Sequence, residues 1–130
     1  MTTLTSAPKL RVARPVTDIS RAEQQYSALG LSTLYKFEGH SGFDGVMLGV
    51  PKAAWHLELV KCEVQPTPTE EDLLVFYFPD SEEWKARCEA AEKGAWIRVE
   101  SANPYWEDKG KTYADGDGYR VVIQRYDWTF

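Results

Sequence analysis

The order of predicted elements occurs twice along this chain, and that repetition most constrains its fold. Each half is predicted to form a strand, a helix and three further strands, although no residue-level repeat accompanies the order. Strands follow from apolar runs and alternation, and helices from apolar residues three and four positions apart. The predicted strands are 9–16, 32–38, 45–50, 55–62, 73–78, 96–100, 111–114 and 119–125, and the predicted helices run from Asp18 to Gly30 and from Asp80 or Ser81 to Gly94.

A proline-rich and acidic segment, EVQPTPTEED, separates the two halves. Proline lacks a backbone N–H, so this segment is predicted to be an extended linker. We expect a loose tail at 1–8, a first module at 9–62, the linker at 63–72 and a second module at 73–130. A module of this size buries too little apolar surface to be stable alone, so both are expected to pack into one domain.

The charge balance and the ends of the chain bear on its partners. The net charge is −5, and no basic stripe is present, so neither nucleic acid nor an anionic membrane is an expected partner. No apolar run approaches the roughly 20 residues needed to span a bilayer. The start, MTTLTSAPKL, lacks the features of a secretory signal. These observations predict a cytoplasmic protein.

The two cysteines, Cys62 and Cys88, are too far apart in sequence to form a CxxC pair. In a reducing cytoplasm, the pattern favours two buried free thiols. A disulfide between them, or a catalytic thiol, is the alternative.

Three strings of residues resemble the vicinal oxygen chelate superfamily, which includes glyoxalase I, bleomycin-resistance proteins and extradiol dioxygenases. RVARPVTDISRAEQQYSALGL at 11–31 resembles the opening strand and helix of that family, and WHLELV at 55–60 resembles its fourth strand. NPYWEDKGKTYADGDGYRVVIQ at 103–124 is similar to its closing segment, except that Gly116 replaces the usual proline. The resemblance implies an α+β fold in which two βαβββ modules form a cupped mixed sheet.

The resemblance also implies where a metal would be held. In metal-dependent members, four ligands enter the cup from four strands, and these positions correspond to Arg11, Glu58, about Leu74 and about Val122. Only Glu58 offers a donor atom with a free lone pair. We therefore expect no metal cofactor, and instead an ion pair between Arg11 and Glu58 across the cup. A divalent metal bound by His56 and Glu58 is the alternative.

His56 and Glu58 lie two residues apart on a predicted strand, so their side chains share one face. They are either polar groups that orient a ligand or an acid–base pair. Met47, Phe76 and Phe78 have the strand parity to line the cup, although core packing is the ordinary role of such residues. His40 falls in a turn and receives no role.

The segment before the last hairpin carries the aromatic pair Tyr105 and Trp106, stiffened by a preceding proline. We expect this pair to form an aromatic lip that stacks on a flat ligand. The alternative is that the pair covers a sheet edge or a dimer seam. Asp115 and Asp117 are expected to shape a turn, because the spacing of a calcium-binding loop is missing.

These patterns predict a homodimeric, metal-independent protein that binds a small hydrophobic or aromatic molecule, as a resistance or sequestration protein does. Two alternatives stay open from the sequence. One is a lyase, isomerase or dioxygenase that uses Glu58 and His56. The other is a partner module with an empty cup. The candidate ligand-binding residues are Arg11, Met47, His56, Glu58, Phe76, Phe78, Tyr105 and Trp106.

Overall fold

A computed structural model describes residues 2–129 of the chain. The first half contains four strands and one helix, and the second half repeats that order with a short additional helix. In chain order the elements are β1 Leu10–Pro15, α1 Ile19–Ala28, β2 Ser32–His40, β3 Phe43–Gly49, β4 Trp55–Lys61, β5 Leu73–Tyr77, α2 Ser81–Lys93, β6 Ile97–Val99, α3 Tyr105–Asp108, β7 Gly110–Ala114 and β8 Arg120–Gln124.

The strands form two four-stranded mixed sheets of equivalent topology. The first sheet has the order β1-β4-β3-β2 and the second has the order β5-β8-β7-β6. In each sheet the opening strand pairs in parallel with the last strand of its module, and the other pairs are antiparallel. The fold is therefore α+β with two βαβββ modules, as the sequence predicts.

Both long helices begin at the residues that the sequence indicates. The Asp18 side chain accepts a hydrogen bond from the Arg21 N–H, and the Asp80 side chain accepts from the N–H groups of Glu82 and Glu83. Such caps satisfy N–H groups that have no partner within the helix. Of the two candidates for the second cap, Asp80 fills the position. The buried stripe of α1 includes Ala22 and Tyr26, and that of α2 includes Cys88 and Ala91.

One core extends through both modules. Leu57 and Leu59 of β4 are buried in it together with Val121 and Ile123 of β8. Trp96, which precedes β6, donates its indole N–H to the Gln25 carbonyl oxygen at 2.7 Å and packs edge-to-face on Tyr26. These contacts hold helix α1 against the second module. Separating the two modules would expose this core to water.

A buried arginine also joins the modules. Arg14 of β1 is 6% exposed, lies 3.2 Å from the Asp72 carboxylate and packs over the ring of Tyr119. The Tyr119 hydroxyl donates to the carbonyl oxygen of Pro15. These contacts bring the edge strand of the first sheet beside the start of β5, which is the edge strand of the second sheet.

The structure differs from the sequence prediction in one element and several boundaries. Tyr105–Asp108 is a short helix, α3, where an aromatic loop was expected. Strand β2 continues to His40 through Gly39, whose φ of +62° is a conformation that glycine adopts without strain. Cys62 and Cys88 are both free thiols, as expected, but only Cys88 is buried, which raises its pKa, whereas Cys62 is half-buried. Among the described residues, no helix has the length and apolar character to cross a bilayer.

Candidate functional site

The outer face of the first sheet, turned away from the core, carries four of the candidate site residues. Side chains alternate along a strand, so Leu57 and Leu59 of β4 enter the core while His56 and Glu58 point the other way. The register places Arg11 beside His56, and Met47 beside Glu58. We call the set Arg11, Met47, His56 and Glu58 the polar cluster, and the sheet surface that bears it the open face.

Arg11 is the centre of the polar cluster. Its Nε donates to His56 Nε2 at 2.9 Å, and one terminal nitrogen contacts the Met47 sulfur at 3.7 Å. The other terminal nitrogen lies 3.6 Å from a Glu58 carboxylate oxygen. The Arg11 side chain is 47% exposed and that of Glu58 is 17% exposed, so the guanidinium lies at the surface over a more buried acid. The predicted pairing of Arg11 with Glu58 is present, with His56 as an additional partner.

This cluster does not fit a divalent metal. A metal needs several free O, N or S donors, whereas His56 Nε2 already accepts from a fixed cation that lies beside Glu58. On the second sheet, Leu74 pairs with Val121 on the core side, so the position sharing a face with Val122 is Val75. Neither valine has a donor atom. Across residues 2–129, no group of three or more His, Cys, Asp or Glu side chains could hold a metal ion.

Two aromatic side chains that the sequence did not indicate belong to the open face. Tyr35 of β2 pairs with Met47, and Phe37 pairs with Gly45. The Phe37 ring lies directly over Gly45, where a Cβ would come within 2.3 Å of the ring. Tyr35 is 60% exposed. The polar cluster is therefore bordered by an aromatic margin of Tyr35 and Phe37, and Gly45 leaves room for it.

Phe76 and Phe78 do not reach the open face, contrary to the sequence expectation. Phe76 pairs with Ile123, and both phenylalanines pack against the core cluster. They line a separate cavity of about 690 Å³ between the modules, which we call the inter-module pocket. The run LLVFYF is apolar on both faces, so its alternation could not show which residues face the core.

Tyr105 and Trp106 lie in the second module, on α3, which packs against β7. Their rings meet edge-to-face with centroids 4.9 Å apart, and Tyr105 is 50% exposed. Burial, together with the charge of Tyr105, raises the pKa of Tyr77 on β5. The structure thus gives an aromatic pair in which Tyr105 is exposed and Trp106 is half-buried, and the pair lies on a different module from the polar cluster.

Glu107 fixes α3 in this position. Its carboxylate accepts hydrogen bonds from Arg98 and from both the N–H and the hydroxyl of Ser101. These donors lower the pKa of Glu107 to about 2. Glu107 therefore has a structural role.

Family models match both halves of the chain. A YycE-like N-terminal domain matches residues 10–60, and a YycE-like C-terminal domain matches residues 71–125. The uncharacterised protein YycE of Bacillus subtilis is 38% identical over 121 residues, which cover 90% of this chain and 87% of that protein.

Solved structures show the same architecture. A YycE protein of unknown function from Bacillus subtilis, described in relation to glyoxalase and fosfomycin resistance proteins, aligns with a TM-score of 0.80 at 35% identity and covers 95% of this chain and 93% of its own. The fosfomycin resistance protein FosX from Mesorhizobium loti aligns at 0.71 with 12% identity, over 98% and 94% of the chains. TnmS3, an antibiotic-binding protein from Streptomyces sp. CB03234, aligns at 0.66 with 20% identity, over 95% and 98%. The last two show the shared fold.

Proposed function

The chain belongs to the YycE-like family, within the glyoxalase and bleomycin-resistance fold of the vicinal oxygen chelate superfamily, and from that premise we propose that it binds a small molecule without a metal. The site is the open face, and the ligand is a hydrophobic or aromatic compound. Binding of this kind sequesters the compound, as resistance proteins do. The antibiotic-binding description of one structural neighbour supports a small-molecule ligand.

The observation that carries the proposal is the guanidinium of Arg11 at the centre of the open face. His56 and Glu58 hold it in place, and nearly half of the side chain is exposed to a ligand. Tyr35 and Phe37 beside it offer flat apolar surface. Ligand sites typically combine much apolar surface with a few polar groups that fix orientation. Here, the aromatic margin supplies affinity, and Arg11 supplies orientation.

Enclosure of the ligand requires a second surface, and the proposal assigns it to a second copy of the chain. The open face of the first sheet and the aromatic pair of α3 lie on different modules. In a homodimer with two-fold symmetry, the second module of one protomer can cover the first module of its partner. Tyr105 and Trp106 then form the lip of the site, which is the role that the sequence predicts for them.

A thermal-shift experiment tests this proposal with bleomycin and fosfomycin as the first probes, because both compound names occur among the related proteins. A ligand that binds only the folded state raises the melting temperature. If bleomycin binds, we expect it to lose at least about tenfold in affinity in Tyr35→Ala and Trp106→Ala, since stacking of its aromatic rings is removed. Lys85→Gln, on the exposed side of α2, is the control.

The metal content of protein purified without a chelator provides the second arm of the test. If the wild-type protein holds near-stoichiometric metal and both His56→Ala and Glu58→Ala lose it, the proposal is contradicted. That result would favour a lyase, isomerase or dioxygenase. We expect the metal content to stay below stoichiometric amounts after the protein is soaked in zinc, nickel, iron and manganese. Unchanged probe affinity in Tyr35→Ala and Trp106→Ala would contradict the assignment of the open face.

A further inference from the structure

The first-sheet wall of the inter-module pocket is formed mainly by side chains on the opposite side of the sheet from Arg11, and His56 of the polar cluster also borders the pocket. Leu10 and Val12 of β1 alternate with Arg11, so they face the core side while Arg11 faces out. Across the gap, the core-facing residues of β5 supply the second wall. The volume of about 690 Å³ is within the range of small-molecule pockets. The apolar wall includes Leu10, Val12, Trp55, Leu74, Phe76 and Phe78.

One cation borders this apolar pocket. Arg87 extends from α2 across Gly30, the residue that ends α1 with a φ of +97°. A Cβ on Gly30 would come within 2.6 Å of an Arg87 terminal nitrogen, so the glycine provides the space that the guanidinium occupies. Arg87 is half-buried. Within residues 2–129, no hydrogen-bond acceptor or carboxylate pairs with it, whereas six other cationic side chains form ion pairs.

We propose that the inter-module pocket is a second ligand site, which binds an amphipathic carboxylate. The apolar body of the ligand lies against Trp55 and Phe76, whose rings contact each other with centroids 5.9 Å apart and form part of the pocket wall. Its carboxylate pairs with Arg87 at the mouth. A guanidinium has five N–H donors and no acceptor, and its planar fork matches a carboxylate with two parallel hydrogen bonds.

Charge at the mouth selects the class of ligand further. The Arg87 guanidinium has no carboxylate partner among the described residues, so its N–H donors are available to a ligand carboxylate. Glu83 lies one helical turn before Arg87, borders the same pocket and is exposed. Its negative charge disfavours a second anionic group on the ligand. The site therefore favours a monoanion over a dianion, and an anion over a neutral or cationic amphiphile of the same length.

Calorimetric titration with octanoate, octanol and octylammonium separates the apolar and ionic contributions. We expect wild-type protein to bind octanoate at least about tenfold more tightly than octanol, and octylammonium least, because a hydrogen-bonded charge pair is added to the same apolar contact. Arg87→Gln should bring octanoate to the affinity of octanol and leave octanol unchanged. Leu10→Ala, at a position that is 59% exposed, should weaken both ligands without unfolding the protein.

Two further variants distinguish this site from the open face. Lys85→Gln removes a cation from α2 away from the pocket, and Arg11→Gln removes the cation of the polar cluster. Octanoate affinity is expected to be unchanged in both. The second site would be overturned if octanoate did not bind wild-type protein, if it bound Arg87→Gln as tightly as wild type, or if it lost affinity in Arg11→Gln. None of these results depends on the bleomycin and fosfomycin titrations.

Discussion

Asp115 is the residue through which the β7–β8 turn is joined to helix α1. Its carboxylate accepts from the N–H groups of Asp117 and Tyr119 and, at 2.8 Å, from the hydroxyl of Tyr26. Burial raises the pKa of Asp115, and these donors act against that increase. Asp117 in turn binds Thr17 and Arg21 at the start of α1. Both acids therefore shape and anchor the turn, which agrees with the role expected from the sequence.

The Tyr26–Asp115 contact gives a prediction for stability. Tyr26→Phe removes the hydroxyl and leaves a buried carboxylate oxygen without that donor, so we expect a loss of about 1–3 kcal/mol in the free energy of unfolding. Tyr113→Phe is the matched control, because the Tyr113 hydroxyl donates to Glu92, which is exposed and can be solvated instead. Urea denaturation of both variants provides the measurement. Equal losses would contradict a special role for the buried acid.

Side-chain direction explains which candidate site residues the sequence could identify. The alternation of WHLELV is visible in the letters, so His56 and Glu58 could be assigned to one face, and the structure places them there with Arg11. The run LLVFYF has no polar residue to mark a face, and Phe76 and Phe78 were assigned to the cup although they pack against the core. Tyr35 and Phe37 were not identified as site residues from the sequence. Strand β2 is exposed along most of its length, so it has no buried face that would mark the opposite face as the open one.

At the scale of elements, α3 shows the limit of periodicity. A helix of four residues completes little more than one turn, so the spacing of apolar residues cannot indicate it. Its position depends on Glu107, whose contacts reach back to Arg98 and Ser101. Contacts of this kind between separated segments are a property of the folded chain, and the sequence of the segment alone does not show them.

The low pKa of Glu107 predicts a pH-dependent stability. The pKa of Glu107 falls on folding from about 4.3 to about 2. The ionised carboxylate therefore stabilises the folded state fully above about pH 4.3, and this contribution is lost as the pH falls toward 2. We expect Glu107→Gln to destabilise the protein by about 1 kcal/mol at neutral pH, as suits a partly exposed pair. The difference from wild type should shrink between pH 4.5 and pH 2 in urea denaturation.

The neighbouring acid of α3 provides the control for this effect. Asp108→Asn changes the same charge in the same helix without removing a contact to Arg98 or Ser101, so its stability relative to wild type should depend much less on pH. A difference between Glu107→Gln and wild type that stays constant down to pH 2 would contradict the role of the ionised carboxylate.

At the scale of the whole molecule, the doubled element order predicted two equivalent modules, and the family resemblance implied that they form a cupped mixed sheet. Strand boundaries and the order of elements are local properties, and turn residues and caps mark them in the sequence. The packing of the modules depends on contacts such as Arg14 with Asp72 and Trp96 with Gln25, which join residues more than 50 positions apart. No local pattern predicts such pairs, and for this reason the inter-module pocket was not foreseen.

The open face also bears on the assembly of the molecule. Tyr35 is 60% exposed, Leu34 is 40% exposed, and both belong to β2, which is an unpaired edge strand of the first sheet. Exposed apolar side chains along a sheet edge favour association with another chain. The proposed homodimer would cover this surface and bring the Tyr105–Trp106 pair of one protomer over the polar cluster of its partner.

Light scattering coupled to size-exclusion chromatography tests the dimer. We expect wild-type protein to have twice the chain mass of 14.8 kDa. Tyr35→Glu should give a monomer, because it places a negative charge in the proposed interface. Leu4→Glu, in the exposed N-terminal segment, should stay dimeric. A wild-type monomer, or a dimer that survives Tyr35→Glu, would contradict the interface and leave the open face without its second wall.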